Sequence, residues 1–181
     1  SKSHYYRLLW ECCRRWAPRL VVEIGIDKAG STMSLAAANP EGKVTSIDID
    51  EGSCLNARRI AAEHGLSNLT VVHSDSIQAL EALRSGPRLL RIDMLFLDGA
   101  HDFVHVYNEY QQFRKHMTHD GIIFFDDIHE GKQMEASWDL VLDPKVELPK
   151  AHATGFGVCK VNQFQNCPTL AEVLPHVRAR F

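Results

Sequence analysis

Two periods alternate along this chain. Short apolar runs at residues 20–24, 44–48, 69–73, 92–97 and 122–125 have the length and composition of buried strands. Between them lie stretches with apolar residues at helical spacing: 32–38, 53–64, 77–84, and a longer one in which Phe103, Val106, Tyr107, Tyr110, Phe113 and Met117 mark one face. That aromatic stripe reads as core. Tyr6, Leu9, Trp10 and Cys13 predict a first helix packed against the sheet edge and stopped by Pro18. Asn39-Pro40-Glu41-Gly42, Gly65, Ser85-Gly86-Pro87 and Asp120-Gly121 supply the breaks. Beyond them, Met134, Trp138 and Val141 predict a last helix, and Val146-Glu147-Leu148 with residues 155–161 a hairpin-like strand pair.

Five strand-helix repeats plus that pair predict an α/β protein. The expected fold is a Rossmann-like doubly wound sheet of about seven strands, mostly parallel with an antiparallel last strand, and helices on both faces. The 181 residues are read as a single domain: an N-terminal helix over 1–19, a core over 20–131, and a C-terminal helix and strand pair over 132–181.

Composition narrows the partners more than the fold. A net charge of -3 gives no global support to a nucleic-acid partner held by counterion release. The Arg14, Arg15 and Arg19 group reads as the solvated face of a terminal helix. Five cysteines without a C-x-x-C pair argue against a structural zinc site or a disulfide framework, so a reducing, cytoplasmic setting is expected. No apolar run reaches the length of a membrane span. The chain opens on Ser1 rather than Met, as a processed chain or a piece of a longer one would.

Ligands of doubly wound sheets bind outside the carboxyl ends of the strands, and acids fall at all five ends: Glu23, Asp48, Asp75, Asp98, and Asp126 with Asp127. The first end continues through Gly25 and Gly30 into a helix signalled by Ser31 and Thr32. Both glycines are expected to take positive φ and bring the backbone close to a bound molecule, with Glu23 accepting from an amine on it. The spacing is neither G-x-G-x-x-G nor a phosphate loop with its lysine, which weakens a nicotinamide oxidoreductase on this fold. Asp48 is placed to accept from ribose hydroxyls, with Ile49 beside it, while Asp50 is read as the cap of the next helix. Asp75, with Ser76, is placed either to accept from an adenine amine or to cap its helix, or both. Carboxylates converging from the fourth and fifth strands repel unless neutralised. A hard divalent cation, magnesium first with manganese or calcium as substitutes, is the expected neutraliser, held by Asp98, Asp126 and Asp127; the alternative is that Asp126 or Asp127 only caps the next helix.

Glu23-x-Gly25 with Gly30-Ser31, Phe96-Leu97-Asp98-Gly99-Ala100-His101 and Asp120 to Asp127 occur in an order that resembles the class I S-adenosylmethionine-dependent methyltransferases. Within that class the likeness is to the metal-dependent small-molecule O-methyltransferases, of the catechol type and the sugar- and antibiotic-directed type, and it covers roughly residues 20–131. The resemblance implies S-adenosylmethionine as cofactor, Mg2+ on Asp98, Asp126 and Asp127, and His101 as the base where the catechol type carries lysine. Histidine's ordinary pKa near neutrality suits that task. His101 and His105 also have the spacing of a zinc pair, without a convincing third ligand. His129 is a candidate for the substrate side.

The implied partner is a small-molecule hydroxyl acceptor, with neither nucleic acid nor membrane. About 19 residues precede the first strand, so the acceptor pocket is expected to be open, completed by a partner subunit of a homo-oligomer, or supplied by sequence outside the chain. A non-catalytic module that keeps the cofactor fold is the other alternative.

Overall fold

The computed structural model describes residues 3–87, 89–148, 150–162, 167–169 and 171–174. In chain order the elements are α1 (Ser3–Trp16), β1 (Leu20–Ile24), α2 (Gly30–Ala38), β2 (Lys43–Asp48), α3 (Glu51–Glu63), β3 (Leu69–His73) and α4 (Ser76–Arg84). They continue as β4 (Ile92–Leu97), α5 (Phe103–Arg114), β5 (Met117–Asp126), α6 (Lys132–Asp139), β6 (Lys145–Glu147) and β7 (Phe156–Lys160).

One seven-stranded sheet runs in the order β3-β2-β1-β4-β5-β7-β6. The first five strands are parallel, Val22 lying between Thr45 and Leu95, and β7 closes antiparallel on β5 with Phe124 opposite Val158. The doubly wound, mostly parallel sheet is therefore as expected.

Period two sorts the strand side chains onto two faces. Val22, Ile24, Leu95, Leu97, Ile123 and Phe125 pack with α4, α5 and α6, whereas Val21, Met94, Phe96 and Phe124 pack with α1 and α2. Both faces are covered, which is why the central strands are almost wholly apolar. The stripe on α5 is core, with Phe103, Tyr107, Tyr110 and Phe113 buried.

Two expectations need correction. Helix α1 does not lie at a sheet edge, since the edges are β3 and β6. Its buried Tyr5, Leu9 and Cys13 pack on α2 and over the central strands, and the Tyr5 ring stacks on Phe156 of β7. Asp120-Gly121 is not a turn before a strand: β5 already begins at Met117. The pairing steps from Ile92 with Met117 to Met94 with Ile122, so the extra residues bulge within β5.

The chain leaves β1 for β2 on one side and returns to β4 on the other. Strand order reverses between β1 and β4, where a crevice forms beyond the carboxyl ends. All five cysteines are free. Among the described residues, no helix is long and apolar enough to cross a membrane.

Candidate active site

A cleft of about 360 Å³ opens at that reversal. Its wall is built from strand ends: Gly25 and Ile26 after β1, Asp48 and Ile49 after β2, Asp75 and Ser76 at the start of α4, and Asp98 and Gly99 after β4. Ile49 is 74% exposed, a large apolar side chain left uncovered on the cleft.

Gly25 is set by geometry. Its φ is +94°, and a Cβ there would stand 2.1 Å from the Asp98 carbonyl oxygen, so β1 and β4 can approach only if this residue is glycine. Gly30 departs from expectation. It is the first residue of α2, a Cβ on it would meet the Tyr6 ring at 2.6 Å, and the positive φ values fall on Asp27 and Ala29 instead. Its smallness admits α1, not a ligand.

Glu23, Ser31 and Thr32 are likewise behind the wall, not on it. Glu23 is fully buried and accepts from Thr32 Oγ1 at 2.7 Å and Ser46 Oγ at 2.6 Å. Burial pushes its carboxyl up, against the opposing effect of the Ser31, Ser46 and Thr32 hydroxyls, and among the described residues its Oε1 has no hydrogen-bond partner. The expected direct contact with a cofactor amine is therefore replaced by a brace between β1, β2 and α2.

Asp48 lines the cleft, and its carboxylate also organises the loop after β1. Oδ2 accepts from Ile26 N at 2.7 Å, and Oδ1 accepts from Asp50 N at 2.8 Å. Asp50 caps α3 through Ser53 N, as expected. Asp75 both lines the cleft and caps α4, accepting from Ile77 N at 2.9 Å and Gln78 N at 3.1 Å. Ser76 donates to Glu109 Oε1 at 2.7 Å. Glu109, at the cleft floor, was not legible as a site residue. Its Oε2 is buried and has no hydrogen-bond partner among the described residues, and burial pushes its pKa up to about 7.

Past Asp98 the acids of β5 begin. Asp126 is 2% exposed, and burial followed by the charge of Asp127 pushes its carboxyl up. Asp127 has φ +54°, a left-handed conformation costly outside glycine and concentrated at functional sites. The expected trio is not one set. Among the described residues, ligand atoms gather within 4.8 Å of one another as Asp98, His101 and Asp127, and as Asp126, Asp127 and His152, with Asp127 common to both.

His101 is half exposed. Its Nε2 stands 3.4 Å from Asp127 Oδ2, and its Nδ1 stands 2.5 Å from Glu130 Oε2. A carboxylate on Nδ1 fixes the ring and turns Nε2 toward Asp127. Glu130, in the turn after β5, has no motif that could reveal it. Neither does His152, which comes from the β6–β7 connection and lies 2.8 Å from Asp126 Oδ1. Tyr5 reaches the same place from α1, its hydroxyl 3.4 Å from Asp98 Oδ2, and burial with the charges of Asp98 and Asp126 pushes its pKa up. His105 pairs with Asp102 at 2.6 Å instead of forming a zinc pair with His101. His129 turns to Glu147 of β6 at 3.2 Å.

The donor set suits a divalent cation: buried carboxylates, a ring nitrogen and a hydroxyl meet at one strand end. The cleft suits an elongated ligand with an apolar portion against Ile49 and polar groups toward Asp48 and Asp75.

Residues 22–128 match the family model described as a methyltransferase domain, and the chain belongs to that family. The O-methyltransferase of Bacillus cereus, in complex with SAH, shares the fold with a TM-score of 0.76 at 18% identity, over 87% of this chain and 80% of that one. A Streptomyces achromogenes O-methyltransferase involved in tomaymycin synthesis, in complex with SAM, superposes with a TM-score of 0.74 at 18% identity, over 87% and 79%. In sequence, the tRNA (guanine-N(7)-)-methyltransferase of Shewanella piezotolerans is 36% identical over 84 residues, 45% of this chain and 34% of that protein. The chain thus spans about a third of the length of the curated relatives it matches.

Proposed function

We propose that this domain binds S-adenosylmethionine in the cleft lined by Gly25, Asp48, Ile49, Asp75, Ser76 and Asp98, and that it transfers the methyl group to a hydroxyl of a small molecule. The observation that carries the reading is the placement of His101, with Nδ1 on Glu130 and Nε2 turned toward Asp127 beside the cleft acids. When bound, the donor would supply an electrophilic sulfonium methyl, and a divalent cation held among the acids at the ends of β4 and β5, with Asp127 common to both candidate groups, would lower the pKa of a nearby hydroxyl.

The chain's own residues do the rest. Asp48 holds the loop after β1 through the Ile26 amide and would accept from the donor's ribose, and Asp75 and Ser76, on the same cleft, would meet its adenine. Glu23 braces that wall from behind. His101 Nε2 takes the hydroxyl proton as the oxygen attacks the methyl carbon and the carbon–sulfur bond breaks. The products are the methyl ether, S-adenosylhomocysteine and a proton on His101, while Nδ1–H donates to Glu130 throughout. The O-methyltransferase neighbours share the fold and fit this reading.

The tRNA relatives favour a second reading, methylation of guanine N7. That atom carries a free lone pair and loses no proton, so it needs neither a base nor a cation beside it. The net charge of -3 also gives a phosphate backbone little purchase. The acceptor is accordingly proposed to be a small hydroxyl compound, with no nucleic-acid or membrane partner. A second copy of the chain is proposed to complete the acceptor pocket, and five free cysteines fit a cytoplasmic setting.

The test is transfer of radiolabelled methyl from S-adenosylmethionine to a panel of catechols, sugars and polyketide alcohols, and separately to unmodified tRNA. Label on a hydroxyl compound, lost in His101→Ala, is expected. Label on tRNA that survives His101→Ala would replace this reading with the second.

A further inference from the structure

His152 lies outside every motif of the chain, yet its Nδ1 has three oxygens around it. Asp126 Oδ1 is at 2.8 Å, Asp127 Oδ1 at 3.0 Å and Thr154 Oγ1 at 3.1 Å. Thr154 donates its own hydroxyl hydrogen to Asp127 Oδ1, so it too presents a lone pair to the ring nitrogen. A ring nitrogen carries at most one hydrogen, and one hydrogen cannot satisfy three acceptors.

The same spacing suits a shared cation. Bonds of about 2.1 Å at right angles set neighbouring ligand atoms about 3.0 Å apart, which is the separation of Nδ1 from both carboxylates. The group is also enclosed. The side chains of Asp126, Asp127 and His152 are 2%, 12% and 10% exposed, and the Tyr5 ring lies 5.0 Å from the imidazole.

We infer that the cation of this edge is a borderline transition ion, of the manganese or cobalt kind, bound by Asp126, Asp127 and His152 Nδ1, and not magnesium on carboxylates alone. The inference rests on the proposed reading of a cation-assisted transfer, and it changes which ion and which ligands that reading uses. Magnesium prefers an all-oxygen shell and keeps its waters, whereas an imidazole donor raises affinity for manganese and, more steeply, cobalt. His101 keeps Nε2 for the proton, because the nitrogen ligand comes from the other side of Asp127.

The test is calorimetric titration of the full chain, freed of metal by chelation, with MnCl2, CoCl2 and MgCl2, alongside the visible absorption spectrum of the cobalt form. Cobalt and manganese should bind more tightly than magnesium by at least about tenfold, with a cobalt spectrum typical of mixed nitrogen and oxygen ligation. His152→Gln should weaken cobalt by roughly 10–100-fold and leave magnesium nearly unchanged. Equal affinity for magnesium and cobalt overturns the inference. So does His152→Gln tightening every cation, which would make the imidazole a competitor for the carboxylates. The spectrum of the unsubstituted chain decides the ligand type even where the variant does not fold. Absence of any cation binding removes the cation from the proposed function as well, while binding without the preference removes only this inference.

Discussion

Replacing Gly25 by alanine tests how the cleft is built. Two costs add. An alanine at φ +94° pays about 1–2 kcal/mol for a left-handed conformation. The new Cβ would also lie 2.1 Å from the Asp98 carbonyl oxygen and 2.8 Å from Gly99 Cα, both backbone atoms that no rotamer change can move. Overpacking of this kind costs about 1–3 kcal/mol. The total, roughly 2–5 kcal/mol, corresponds to a fall in Tm of roughly 4–20 °C for a chain of this size. Gly65→Ala separates the two costs, because Gly65 has φ +65° with nothing within 4 Å of the added Cβ. It should lose about 1 kcal/mol, or roughly 2–4 °C. Thermal melting by circular dichroism reads both. If Gly25→Ala melts no lower than Gly65→Ala, the close approach of β1 and β4 is not what requires glycine, and the account of the cleft wall fails.

Three further outcomes are expected. Glu130→Gln should lower kcat about tenfold with little change in KM for the methyl donor, because it removes the carboxylate on His101 Nδ1; an equal loss in donor affinity would make Glu130 structural. Glu109, pushed up to about 7 by burial, is protonated in both folded and unfolded chains below its ordinary pKa near 4.5, where it has no effect on stability. As pH rises from about 4.5 to 7 the unfolded chain gives up the proton first, so folding stability falls, by up to about 3 kcal/mol, and stays lower above pH 7. Urea unfolding of Glu109→Gln should lack that component of the slope, and an identical pH profile would refute it. Asp143→Ala strips a buried partner from Arg114, which donates to it at 2.6 and 2.8 Å, and should cost about 3–5 kcal/mol in urea unfolding. A loss below about 1 kcal/mol would mean that water reaches Arg114.

The sheet was readable because burial on both faces leaves a near-continuous apolar strand, as in Met94-Leu95-Phe96-Leu97. Acids at strand ends were readable for a related reason: a charge stops such a run where it reaches solvent. Beyond that, local pattern loses its hold. Nothing in the spacing around Glu23 distinguishes a carboxylate on the cleft from one turned back to Ser46, since both sit at the same strand end. Gly30 has the chemistry of a ligand loop, but its need for smallness comes from Tyr6, 24 residues earlier. Asp120-Gly121 has turn chemistry and was absorbed as a bulge by pairing with β4. Glu130 and His152 reach the site only through tertiary structure, His152 from a loop 26 residues beyond Asp126. Sequence spacing cannot see such a partner.

The cleft between β1 and β4 is proposed to hold the methyl donor. Its most direct test is calorimetric titration of the chain with S-adenosylmethionine and, separately, with NAD, repeated on Asp48→Ala. One-to-one binding of S-adenosylmethionine is expected, none of NAD, and a donor affinity weakened by at least about tenfold in the variant through loss of the carboxylate that organises the loop after β1. Binding of NAD in place of the methyl donor, or donor binding indifferent to Asp48, would contradict it.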